Sequence, residues 1–146
     1  MDTTLMVASR GNASDPAAAA NRTEQRSRRR RAFVVDDDPD ARYLLGEVAR
    51  DMGWQAERFP TLEAVRRAMV VDQPDLLILD DELPDGSGGD FAVEVRSNAR
   101  LRGTPIIFCT GAAPRRRREI GRIAPVLGKP FDLGTLERIL SEVGTA

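Results

Sequence analysis

The chain has 146 residues, with 41% hydrophobic and 31% charged residues and a formal net charge of -1, which suits one globular domain and a tail. It contains no His and a single Cys, Cys109, so histidine acid/base chemistry, the common zinc sites and an intrachain disulfide are all excluded. No apolar run approaches the roughly 18 residues of a membrane span, and the N-terminus lacks the apolar stretch of a secretory signal; a cytoplasmic protein is expected.

The balanced charge conceals two unlike parts. Residues 1–31 hold seven Arg against Asp2, Asp15 and Glu24, giving +4, and the remainder holds 15 basic and 20 acidic groups, giving -5. Residues 1–31 are rich in Ala, Ser and Asn and end in "RSRRRR", so they read as a disordered basic arm ahead of a domain at 32–146. Nucleic acid is expected as a partner only through that arm.

From "RAFVVD" onward, strand-length apolar runs alternate with segments of helical period. After the first strand, "PDARYLLGEVARDMG" places Tyr43, Leu44, Val48 and Met52 at helical spacing, with Gly53 as its stop. "WQAERF" is a second strand, followed by a helix with Thr61 as N-cap and Leu62, Val65 and Met69 on one face. "DLLILD" is apolar on both faces, as a central parallel strand is. A Gly/Pro/Asp loop, a helix around "DFAVEVRSNAR", the strand "PIIFCT", a basic segment "PRRRREIGRI", the short strand "PVLG" and a last helix "DLGTLERILSEV" complete five βα units. This order predicts an α/β fold, a doubly wound five-stranded parallel sheet with helices on both faces and a short fourth helix between Pro114 and Pro125. Such sheets carry their ligands at the carboxyl ends of the strands.

The residues closing the strands are Asp36 and Asp37 after the first, Asp80 after the third, Thr110 after the fourth and Lys129 after the fifth. Lys129 is the only lysine; Arg supplies the other 21 positive charges. Three carboxylates on one edge repel unless a cation neutralises them, and a hard divalent ion such as Mg²⁺ suits them. A hydroxyl and an ammonium opposite such an ion make a site for a phosphoryl group. Taken singly, each has a plainer reading: a strand-end Asp often caps a helix, and a lone Lys is often a surface charge.

These segments resemble the receiver domain of bacterial two-component response regulators. "VVDDDPDAR" is similar to that family's acidic-pair motif, "LILDDELPDGSGG" to its phosphoacceptor motif, "PIIFCTG" to its hydroxyl-bearing strand and "LGKPF" to its lysine-proline motif. Pro84 and Gly88 stand four and eight residues after Asp80, a register that selects Asp80 over Asp81 as the phosphoacceptor. The resemblance implies a flavodoxin-like receiver fold with Asp80, Thr110 and Lys129 as the catalytic set, Lys129 paired with Asp80 at rest, and a cis peptide bond before Pro130. It also implies a Mg²⁺ site at Asp36, Asp37, Asp80 and Glu82. The implied function is a stand-alone, single-domain response regulator rather than a turnover enzyme. It would take a phosphoryl group from a histidine kinase or phosphotransfer protein and signal to a downstream protein target. The chain departs from the family in a short Thr110–Lys129 segment, in Val126 where an aromatic ring is usual, in Gly111 for Ala, and in the acidic Glu82. Two alternatives remain: a receiver-like scaffold that binds without phosphorylation, and a phosphatase of the haloacid dehalogenase type, which would need a later acidic residue such as Asp132.

Overall fold

A computed structural model describes residues 30–145. Of the expected basic arm, residues 1–29 lie outside the described residues, and Arg31 opens the first strand. The elements in chain order are β1 (Arg31–Val35), α1 (Pro39–Asp51), β2 (Gln55–Phe59), α2 (Leu62–Val71), β3 (Leu76–Leu79), β4 (Glu82–Leu83), β5 (Gly86–Ser87), α3 (Gly88–Arg96), β6 (Ile106–Thr110), α4 (Pro114–Ile120), β7 (Val126–Gly128) and α5 (Leu133–Thr145). The main sheet runs β2-β1-β3-β6-β7, and every pairing in it is parallel.

Alternation along the buried strands feeds two cores. Phe33, Val35, Leu77, Leu79, Ile106 and Phe108 pack under α2, α3 and α4, with Val65, Met69, Phe91 and Ile120. Ala32, Val34, Leu76, Ile78, Ile107 and Cys109 pack under α1 and α5, with Leu45, Ala49, Leu136 and Leu140. Strands buried on both faces read as continuous apolar runs because every position meets one of the two helix layers.

Two details differ from expectation. In α1 the buried stripe is Leu45 and Ala49, supported by Val48 and Met52, whereas Tyr43 and Leu44 are exposed. The guanidinium of Arg58 lies 5.2 Å from the Tyr43 ring centroid and covers that outer face with cation–π contact instead of core. The expected loop after β3 contains a tight antiparallel hairpin, β4–β5, which turns through Gly86 at a positive φ of 150°.

That hairpin also finishes a helix. Asp85 accepts hydrogen bonds from the backbone N–H groups of Leu62 (3.0 Å) and Glu63 (2.9 Å), while Thr61 Oγ1 accepts from Ala64 N–H (3.1 Å). Three orphan donors of α2 are thereby satisfied. The two N–H bonds hold the Asp85 carboxyl below the usual carboxylate range. Its contribution to stability is therefore present above its unfolded value of about 3.9 and is lost as pH falls through the lower folded value. Asp85→Ala is expected to lower the thermal midpoint at pH 7, with the gap from the parent protein closing in acid; parallel melts across that pH range check it.

Candidate functional site

Hydrogen bonds beyond the strands extend the sheet edge into the site. Asp36 N–H donates to Phe59 O (3.1 Å), Asp80 N–H to Val35 O (3.0 Å) and Lys129 N–H to Thr110 O (2.9 Å). Each residue that follows a strand is thus held in register with the strand beside it. The Lys129–Pro130 peptide bond is cis.

Lys129 Nζ donates to Asp36 Oδ2 at 2.6 Å and to Asp80 Oδ2 at 3.2 Å. The shorter contact is to Asp36, so at rest the ammonium serves two carboxylates and not Asp80 alone. Carboxylate oxygens of Asp36, Asp37 and Asp80 all lie within 4.8 Å of one another. Asp36 and Asp80 are buried, and Asp37 faces outward. Burial pushes the Asp36 carboxyl up, and the charge of Asp80 adds to this; the Lys129 hydrogen bond and Asp38 N–H offset it only in part. Burial works against the Lys129 ammonium, yet its bond to Asp36 and the two carboxylate charges hold its pKa above the ordinary value. The two shifts differ in their main cause: desolvation lifts the Asp36 carboxyl, and the paired carboxylates lift the Lys129 ammonium against desolvation.

The neighbouring residues shape this edge. Asp38 caps α1, accepting from Asp40 N–H (3.1 Å), and Arg42 Nη1 donates to the Asp36 carbonyl oxygen (2.7 Å). Thr110 is fully buried, and its Oγ1 accepts from Ala112 N–H (3.1 Å). Cys109 is buried, and desolvation pushes its thiol up to about 12, which keeps it protonated near neutral pH. Glu82 is brought near only through its backbone, whose N–H donates to Asp80 Oδ1 (3.3 Å); its side chain is exposed and stands outside the acidic group. Asp132 accepts from Thr135 N–H (2.9 Å) at the start of α5, so it serves as a cap.

Asp81 and Arg116 were missed by sequence reasoning. The Asp81 carboxylate is 4% exposed, accepts from Gly89 N–H (2.9 Å), and is gripped by Arg116 Nε (2.7 Å) and Nη2 (2.9 Å). Burial pushes it up, but the Arg116 hydrogen bonds, the Gly89 N–H and the guanidinium charge hold it below the usual range. Of the two adjacent aspartates, Asp81 is committed to this pair, and Asp80 turns to the acidic cluster. The available signal was the Gly88–Gly89 pair: a side chain on Gly88 would collide with the Asp80 carbonyl oxygen, and one on Gly89 would meet Arg116.

A family profile, the response regulator receiver domain, matches residues 32–141. The transcriptional regulatory protein GltR of Pseudomonas aeruginosa is 34% identical over 102 residues, covering 68% of this chain and 42% of that protein. Nodulation protein W of Bradyrhizobium diazoefficiens is 32% identical over 111 residues, covering 73% of this chain and 48% of that protein. The chain therefore spans less than half the length of these curated relatives. Among solved structures, the response regulator TrrA of Thermotoga maritima in complex with Mg(2+)-BeF is similar at TM-score 0.70 and 28% identity, over 78% of this chain and 98% of that one. The chemotaxis response regulator CheY4 of Vibrio cholerae shares the fold at TM-score 0.71 and 24% identity, over 79% of this chain and 98% of that one.

The close approach at Gly88 generates a test. Gly88→Ala is expected to destabilise the protein by about 1–3 kcal/mol through overpacking against rigid backbone, in spite of the better helix propensity of Ala. Urea denaturation reads this as a lower midpoint at unchanged slope.

Proposed function

The chain belongs to the response regulator receiver domain family, and on that premise we propose that it accepts a phosphoryl group on Asp80 in a Mg²⁺-dependent step of two-component signalling. The observation that carries this reading is the Lys129 ammonium held between Asp36 and Asp80, with Asp37 completing a group of three carboxylates. The donor is a phosphohistidine of a kinase or phosphotransfer protein. An Asp80 carboxylate oxygen forms the O–P bond, the P–N bond breaks, and its electron pair returns to the imidazole nitrogen. Receiver domains are signalling proteins, so the product is a modified protein that acts through protein contacts.

The donor set fits a hard divalent cation: oxygen ligands only, two of them buried, and one ammonium against three carboxylates. Asp36, Asp37 and Asp80 would hold Mg²⁺, which supplies counter-charge for the phosphoryl oxygens. Lys129 contributes a point charge on a slim stem that leaves Asp80 for a phosphoryl oxygen without leaving Asp36. Thr110, buried at the end of the neighbouring strand, offers its hydroxyl to a second oxygen. Glu82 borders the site from outside. The phosphatase alternative gains no support, because Asp132 is occupied in capping α5.

Asp80→Asn is expected to abolish the added phosphoryl mass, read by intact-protein mass spectrometry with a small acyl-phosphate donor and Mg²⁺, while the fold persists. Loss in Asp81→Asn with retention in Asp80→Asn would overturn the assignment.

Asp37→Ala is expected to weaken Mg²⁺ binding at least tenfold, a loss of about 1.4 kcal/mol or more, and to slow phosphorylation with it. Calorimetric titration gives the affinity. Phosphorylation that persists undiminished in EDTA would contradict a metal-dependent step.

A further inference from the structure

α4 is a poor helix by its own sequence. It has seven residues, no side-chain cap at Ala113, no acidic residue in its first turn, and four consecutive arginines, 115–118. Helices this short are marginal, and cations in the first turn oppose the helix dipole. Ile120 is its one buried residue. What ties its first turn down is Arg116. The guanidinium grips Asp81 with two hydrogen bonds, lies 3.4 Å from Ser87 Oγ, and pairs with Glu119 at 3.3 Å.

The contact closes a ring around Asp80. Asp80 and Asp81 leave β3, and Thr110 leaves the adjacent β6. The turn Gly111–Ala113 then leads to Pro114, and two residues later Arg116 returns to Asp81. The Thr110 hydroxyl accepts from Ala112 N–H within that same turn. Asp81 is also bound to the start of α3 twice, through Gly88 N–H to its carbonyl oxygen (2.8 Å) and Gly89 N–H to its carboxylate (2.9 Å). While the ion pair holds, the Asp81 backbone, the Thr110 turn and α4 are tied into one closed loop of contacts.

We propose that the Asp81–Arg116 ion pair is a positioning device that ties α4 and the Thr110–Pro114 turn to the loop carrying Asp80, so that phosphorylation of Asp80 and the placement of α4 change together. This rests on Asp80 as the acceptor. Thr110 would approach a phosphoryl group by moving its turn; the turn runs directly into α4, and Arg116 ties α4 back to Asp81, one residue from Asp80, so a shift at either end is felt at the other. The face that moves carries Arg115 and Arg118, both exposed and without a charged partner among the described residues.

The test is hydrogen–deuterium exchange of the full chain, alone and with Mg²⁺ and trifluoroberyllate as the phosphoryl mimic. Without the mimic, Asp81→Asn and Arg116→Gln are each expected to speed exchange across residues 114–120 by about fivefold or more, with residues 31–35 unchanged. With it, residues 76–88 gain protection in the parent protein and in Arg116→Gln, but exchange across 114–120 responds in the parent protein only. If Asp81→Asn fails to fold, Arg116→Gln, at a side chain 36% exposed, carries the comparison. Unchanged exchange of α4 in Arg116→Gln, or an equal response of α4 in both proteins, overturns the coupling. Protection of 76–88 with no response of α4 in the parent protein also overturns it. No protection of 76–88 in either protein removes the acceptor reading, and the coupling with it.

Discussion

The structure turns on one ammonium. Lys129 Nζ joins the ends of β1, β3 and β7 through Asp36 and Asp80, in an edge that holds three carboxylates within 4.8 Å. Like charges about 4 Å apart repel by about 4 kcal/mol at an effective dielectric constant of 20. Without a cation the edge would spread or take up protons, and even with the ammonium in place burial keeps the Asp36 carboxyl raised. The backbone bonds that continue the sheet past each strand keep these side chains from escaping the repulsion. The same crowding that makes the edge costly makes it receptive to a divalent cation and a phosphoryl group.

The other cations show why a lysine stands here in a chain that otherwise uses arginine. Arg58 stacks on Tyr43 and pairs with Glu47, Arg66 stacks on Phe91 and grips Glu94 with two bonds, and Arg116 forks onto Asp81. Each use lays a planar guanidinium flat on a ring or forks it onto a carboxylate. Between Asp36 and Asp80 the requirement is opposite. One charge must satisfy two acceptors that leave different strands, and a guanidinium would engage one of them bidentately.

Much of this was legible because the fold's chemistry is local. Strands buried on both faces leave unbroken apolar runs, and each run ends at a polar residue that the topology carries to one edge. Asp36, Asp37, Asp80, Thr110 and Lys129 all stand where that reading puts them. The illegible parts depend on partners distant in sequence. Periodicity cannot tell which of two adjacent apolar residues faces inward when Arg58, fifteen residues on, covers Tyr43. Nor does a run of four arginines disclose that the second reaches back 35 residues to Asp81. Glu82 lay beside the site in sequence, but its side chain is exposed and stands outside the acidic group, and only its backbone N–H reaches Asp80.

These two kinds of residue divide the domain. The reacting side chains sit on strand ends, where the parallel ladder makes displacement of any one costly. α4 is held by side chains instead: Arg116 on Asp81, Ile120 in the core, and Arg117 laid across Gly128, where any larger residue would displace it. Val126, where the family usually has an aromatic ring, packs only partly buried against the core. A side-chain contact has alternatives that a ladder of backbone bonds does not, so this helix belongs to the low-stability end of the domain. A site that must hold its geometry and a surface that must change are thereby built from different kinds of bond, and Asp81, next to the acceptor in sequence and bonded to α4 in space, belongs to both.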